Sequence, residues 1–181
     1  MTDITAPVRT GRLSPAADAK NSPREPIWDL IELIFFAYRD FVSEPDHVLE
    51  TLRFGRAHHR VLHFVNRSPG MKVAELLDIL KITKQSLGRV LKQLIDQGYV
   101  EQKEGPRDRR QRLLYPTPKG EALAMRLADL QTTRIAGALA DLGPGAHDAA
   151  CRFLTAMIDP EERQGVLALI ARANRARRAR T

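Results

Sequence analysis

The stretch from Met71 to Gly120 limits what this chain can become more than any other. Val73, Leu76, Leu77 and Leu80 recur at the spacing of one helix face, the pattern of a short amphipathic helix. Lys81-Ile82-Thr83 then reads as a tight turn, and Thr83 can cap a second helix by accepting a first-turn N–H. That helix buries one stripe, Leu87, Val90, Leu91, Leu94 and Ile95. Its other face carries Lys84, Gln85, Ser86, Arg89, Lys92 and Gln93, whose donors and acceptors suit base edges and phosphates. Gly98 ends it, as glycine does just past a helix C-cap.

Tyr99 to Lys103 reads as a strand, and Glu104 to Arg109, with its Gly-Pro pair, as a hairpin tip. Gln111 to Tyr115 returns as a second strand. Four arginines and one aspartate lie between Arg107 and Arg112. A cationic ribbon beside a polar helix is the outline of a winged helix-turn-helix. The helix enters the major groove, and the wing reaches phosphates or the adjacent minor groove. The expected recognition helix spans 83–97 and the wing 101–116.

The block resembles the MarR family of winged-helix transcription regulators. Asp108-Arg109-Arg110-Gln111-Arg112-Leu113-Leu114-Tyr115-Pro116-Thr117-Pro118-Lys119-Gly120 matches that family's Asp-x-Arg, apolar run and Thr-x-x-Gly. Leu94 to Val100 fits the family's end of the recognition helix, and the run from Gly55 to Asn66 resembles a PetP-like branch. Pro116 departs from the usual leucine. It removes one strand donor, which shortens the expected ladder.

The resemblance implies a homodimer on double-stranded DNA, reading a pseudopalindrome with half-sites about one helical turn apart. It implies DNA contacts from Lys84, Gln85, Ser86, Arg89 and Lys92 on the helix, and from Arg107, Asp108, Arg109, Arg110 and Arg112 on the wing. Within Asp-x-Arg, Asp108 is expected to hold Arg110 by a charge-assisted hydrogen bond. A small-molecule effector pocket is implied between the dimer platform and the winged domain, with Phe35, Tyr38, His58 and His63 as its candidate lining.

The flanks read as helices, so the fold class is mainly α with a small β-hairpin wing on a helical dimerisation platform. Residues 1–21 lack apolar periodicity and are expected to be a disordered tail. Ser22-Pro23-Arg24-Glu25 has the capping-box pattern. The helix it opens is expected to run to about Val42 and to break at Ser43-Glu44-Pro45-Asp46. Its apolar residues, Trp28 and Phe36 among them, cover more than one face, so a second subunit is expected against them. Platform segments are expected over 22–53 and 118–174, the winged domain over 54–117, and a basic tail over 175–181. On the last helices Ala150, Phe153, Leu154 and Met157 are expected to face inward.

Composition narrows the partner. The 181 residues carry a net charge of +7, and the pI is about 10.0, which favours an anionic partner such as nucleic acid. The single cysteine, Cys151, permits no internal disulfide. It is read as an inert buried thiol, with redox sensing as the alternative. No apolar run approaches the roughly 20 residues of a membrane span. The N-terminus lacks the apolar segment of a secretory signal, so a cytoplasmic location is expected.

His59 and His63 stand four apart, a spacing that can bind zinc, but their helix offers no Cys, Asp or Glu to complete a site. They are read as core-edge or pocket histidines, with no metal and no cofactor. The competing readings are a metal-binding protein or enzyme using His58, His59 and His63, and a winged helix that contacts an acidic protein. No phosphate loop or nucleophile elbow is present, so an enzyme is not expected.

Overall fold

The computed structural model describes residues 25–106, 108 and 110–179. The elements in chain order are α1 (Trp28–Glu50), α2 (Arg56–Arg67), β1 (Met71–Lys72), α3 (Val73–Leu80), α4 (Lys84–Asp96), β2 (Val100–Glu104), β3 (Arg112–Pro116), α5 (Pro118–Leu142), α6 (Ala146–Met157) and α7 (Pro160–Arg178). The expected tail over 1–21, the first three residues of the capping box, Arg107, Arg109 and the last two residues lie outside the described residues.

One apolar core joins the helix-turn-helix to the end of α1 and the start of α5. Leu49, Val61, Val65, Leu76, Leu94, Leu114 and Leu127 are fully buried in it. The apolar stripes of α3 and α4 thus reach the core the pattern called for, through Leu76 from α3 and Leu87, Val90, Leu91 and Leu94 from α4.

The sheet is antiparallel with order β1-β3-β2, so the wing is a three-stranded unit rather than a lone hairpin. The extra strand, β1, pairs Met71 with Leu114 and Lys72 with Leu113. Two residues are too few to show the alternation that marks a strand in sequence. The wing strands each begin one residue later than expected. Tyr99 N–H donates to Leu94 O, which keeps it at the helix end. Gln111 N–H donates to Asp108 O, which keeps it in the turn. Pro116 closes the ladder opposite Val100 without interrupting it.

The largest correction concerns α1, which does not break at Pro45 but continues to Glu50. A mid-helix proline lacks the N–H of one rung. Here Val42, Pro45 and Leu49 form a buried face at helical spacing, so packing outweighs the missing bond. Left-handed Arg53 ends the segment, and Phe54 N–H donates back to Leu49 O. The helix begins at Trp28 rather than in the capping box; Pro26 biases the residue before it away from helical geometry. At the other end, the expected basic tail is helical as far as Arg178.

Most of α1 and α6 is solvent-facing within one protomer. Trp28, Phe35 and Leu154 are each more than 60% exposed. Phe153, Leu154 and Met157, expected to face inward, are exposed, and α6 buries no residue at all.

The junction of wing and α5 fixes one glycine. A Cβ on Gly120 would sit 1.9 Å from Tyr99 O, so no side chain fits. Gly120→Ala should lower unfolding stability by about 1–3 kcal/mol or more. A urea midpoint equal to that of the parent would show that this packing is not as tight as described.

Candidate nucleic-acid interface

The site is built from α4 outward. Thr83 is its N-cap, and its Oγ1 accepts from Ser86 N at 3.1 Å. The same hydroxyl donates to Ser86 Oγ at 2.9 Å, so Ser86 is part of the cap as well as of the polar face. Burial of Leu87, Leu91 and Leu94 on one side forces Lys84, Gln85, Ser86, Arg89, Lys92 and Gln93 into solvent on the other. Gln85, Arg89 and Gln93 are one turn apart in succession and form a stripe. Among the described residues, Lys84, Gln85 and Arg89 have no side-chain hydrogen bond or ion pair, whereas Lys92 pairs with Asp96.

The wing is held by side chains that cross it. Arg112 pairs with Glu104 at 3.3 Å. Lys103 pairs with Glu101 at 2.6 Å and lies 5.0 Å from the Tyr115 ring centroid. Asp108 does not hold the Arg110 guanidinium; its Oδ1 accepts from Arg110 backbone N–H at 2.9 Å. The carboxylate therefore shapes the turn as an aspartate turn does, and the Arg110 side chain is left to other partners. Gly105 N–H donates to Gln111 O at 3.0 Å, closing the hairpin. Arg107 and Arg109 belong to this tip in sequence but lie outside the described residues.

The three histidines of α2 have separate surroundings. His58 stacks on Phe54 with centroids 4.6 Å apart and bonds Gln93 Oε1 at 2.6 Å. His59 and His63 are shifted below the ordinary histidine value of 6.5, chiefly because burial penalises the charged ring. Asp46 partly offsets this at His59, while Arg67 and His59 add to it at His63. His63 is exposed by surface area, yet it sits in a cavity mouth where neighbouring groups crowd the ring. Among the described residues no group of three His, Cys, Asp or Glu side chains is placed to hold a metal ion.

His63 lines a cavity of about 940 Å³ between α2–α3 and α7, with Phe64, Ile79, Val166 and Leu169 as its apolar walls. Phe35, Tyr38 and His58 do not line it. Phe35 is exposed on α1, and the Tyr38 hydroxyl accepts from Arg60 Nη2 at 3.3 Å. Polar contacts hold α7 over this seam: Lys81–Glu162 at 2.9 Å, Arg172–Glu75 at 3.8 Å and Arg67 to Asn174 at 2.6 Å. Cys151 is exposed, not buried, with His147 about 4 Å away, one turn earlier on α6.

Sequence reasoning about the reading face missed the His58–Gln93 bond. The two residues lie 35 positions apart, and neither apolar period nor charge pattern connects them.

A model of the MarR family matches residues 54–111. The HTH-type transcriptional regulator PetP of Rhodobacter capsulatus is 47% identical over 134 residues, which are 74% of this chain and 81% of that protein. Among solved structures, Streptococcus pneumoniae FabT in complex with DNA superposes with a TM-score of 0.64 at 16% identity, over 73% of this chain and 94% of that one. A mutant MarR from E. coli complexed with operator DNA gives 0.55 at 21% identity, over 75% and 100%. At these identities the structures establish a shared fold.

Two measurements check the local account. Thr83→Ala should cost about 1 kcal/mol of unfolding stability through loss of the α4 cap; an unchanged midpoint would show that the cap carries no weight. The lowered values of His59 and His63 mean that the unfolded chain takes up protons first as pH falls. Their contribution is therefore complete above about pH 6.5 and is lost as pH drops through the lowered folded values. A double change, His59→Gln with His63→Gln, should flatten the thermal midpoint's dependence on pH as pH falls below about 6.5. An identical slope in parent and variant would contradict the assignment.

Proposed function

The chain is a member of the MarR family of DNA-binding transcription regulators, and we propose that it binds a pseudopalindromic duplex as a homodimer. The observation that carries this reading is the face of α4. Lys84, Gln85 and Arg89 stand in solvent without partners among the described residues, on a helix whose other side is locked into the core. Leaving such groups uncommitted suits a surface that meets hydrogen-bonding partners on another molecule.

In this reading α4 enters the major groove and the wing over 100–116 follows the phosphates beside it. Arg89, mid-helix, is assigned to a guanine edge or a phosphate, with Lys84, Gln85, Ser86 and Lys92 around it. Arg107, Arg109, Arg110 and Arg112 supply charge along the wing, and Asp108 sets its turn. Dimerisation is supported by the apolar surface of α1 and α6, with Ile27, Trp28, Ile31, Phe35, Leu154 and Met157 all exposed in one protomer. A surface of that kind is covered in a stable protein, and a two-fold pair covers it while spacing two reading heads. Among the described residues no helix is long and apolar enough to cross a membrane, and we place the protein in the cytoplasm, with its DNA.

Regulation by a small molecule belongs to the same reading. An effector in the cavity that His63 lines, between α2–α3 and α7, would alter the distance between the two reading heads. His58 has both ring nitrogens engaged and is assigned instead to holding α4.

Selection of binding duplexes from a random pool tests the proposal. Two inverted half-sites with centres about one helical turn apart are expected. Recovery of no preferred duplex, even at low salt, would refute sequence-specific recognition. On the selected duplex, Arg89→Ala should cost about 1–3 kcal/mol and relax preference at one position. Arg109→Ala should weaken all sequences alike and make the salt dependence shallower. A loss confined to one sequence would contradict the phosphate role of the wing.

A further inference from the structure

Among the described residues, His58 and Gln93 form a link between the start of α2 and the polar flank of α4 whose hydrogen-bond roles are fully defined. Gly55 backbone N–H points at His58 Nδ1 at 3.1 Å. A backbone N–H can only donate, so Nδ1 must be the unprotonated nitrogen. The ring proton then resides on Nε2, which faces the Gln93 side chain at 2.6 Å. A proton on Nε2 requires an acceptor, so Gln93 turns its amide oxygen, not its NH2, toward the ring. The orientation of an amide whose two ends look alike follows here from the donor that cannot be reversed. The ring cannot swing away easily, because Phe54 lies parallel to it at 4.6 Å, and Phe54 is itself buried against Tyr99.

The consequence is on the reading face. Gln93 is exposed and stands one turn beyond Arg89 on the stripe that begins at Gln85. A free glutamine offers both an acceptor and a donor, the pair that grips adenine through N7 and N6. With one lone pair of its oxygen held by His58 and the amide plane thereby fixed, Gln93 turns its NH2 away from the ring. We infer that His58 orients Gln93 as a donor contact of the recognition helix, with its NH2 directed at an acceptor on DNA: a purine N7, a guanine O6, a thymine O4, or a phosphate oxygen. His58 is thus a positioning residue and Gln93 a contact residue. The inference rests on the DNA-binding reading above.

The test uses the full chain and the duplex selected by the parent protein, after thermal melting has shown each variant folded. Gln93→Glu keeps an oxygen toward His58 but replaces the outward NH2 with a second oxygen. It should lower affinity about tenfold or more, the size of one good polar base contact. A base acceptor would show as a changed preference at one position, and a phosphate acceptor as an equal loss on every duplex. His58→Phe keeps the ring stack but frees the amide. With the amide free to turn over, it should broaden the bases accepted at the Gln93 position if the contact is to a base, and weaken all duplexes slightly and equally if it is to phosphate. Unchanged affinity and preference in Gln93→Glu would overturn the inference while leaving the parent's selected duplex, and so the broader reading, intact. If the parent selects no duplex, the broader reading fails and this one with it. Imidazole ¹⁵N spectra of the free protein decide the geometry separately: a protonated Nε2 and bare Nδ1 on His58 are expected, and the reverse tautomer would overturn the argument without any DNA.

Discussion

The Thr117 side chain is the joint on which the rest of the winged unit turns. Its Oγ1 donates to Gly98 O at 2.7 Å and accepts from Gly120 N–H at 3.1 Å. Its backbone N–H donates to Tyr99 O at 3.1 Å. One residue therefore receives the chain leaving α4, ends the wing and starts α5. Gly120 allows the approach because it has no Cβ to strike Tyr99 O. Lys119 adds a bond to Gln97 O at 3.0 Å and lies 4.1 Å from the centre of the Tyr99 ring. The end of α4 is thus tied directly to the long helix α5. A shift of α5 has a short, packed route to α4, which the proposed regulation from a dimer platform would require.

The forces in the molecule divide by place. Within the winged unit, apolar burial dominates: Leu76, Leu94, Leu114 and Leu127 converge from α3, α4, β3 and α5. Between α7 and the winged unit, exposed ion pairs dominate, and such pairs contribute little individually. The first part of α1 and much of α6 carry their apolar side chains on the outside of the single chain. A chain with that distribution has a self-sufficient reading head and an incomplete platform. In the proposed homodimer a second copy would both cover the apolar face and set the separation of the two heads, so that stability and recognition would draw on the same contact.

Much of this was legible in the amino-acid order. The stripes of α3 and α4, the Thr83 cap, the stop at Gly98 and the Thr117-x-x-Gly120 joint are local patterns, and local patterns report local geometry. What escaped depended on contacts distant in sequence. Pro45 reads as a breaker, yet burial beside Val42 and Leu49 keeps α1 whole. The two residues of β1 become a strand only because β3 lies beside them. Asp108 was expected to hold a guanidinium, but the nearer donor, the Arg110 backbone N–H, takes it. His58 looked like a pocket residue because α2 alone does not show that Gln93 sits across from it. Exposure of Cys151 follows from α6 lying outside the protomer core, which no apolar period along that helix reveals.

The central claim is that two copies, joined through α1 and α6, present two α4 helices to one face of a duplex. Sedimentation of the purified chain, alone and with a stoichiometric duplex carrying both half-sites, tests this most directly. The account predicts a dimer in the absence of DNA and a complex of two chains per duplex formed in a single transition. A monomer that loads the half-sites one at a time, with equal and independent affinities, would contradict it.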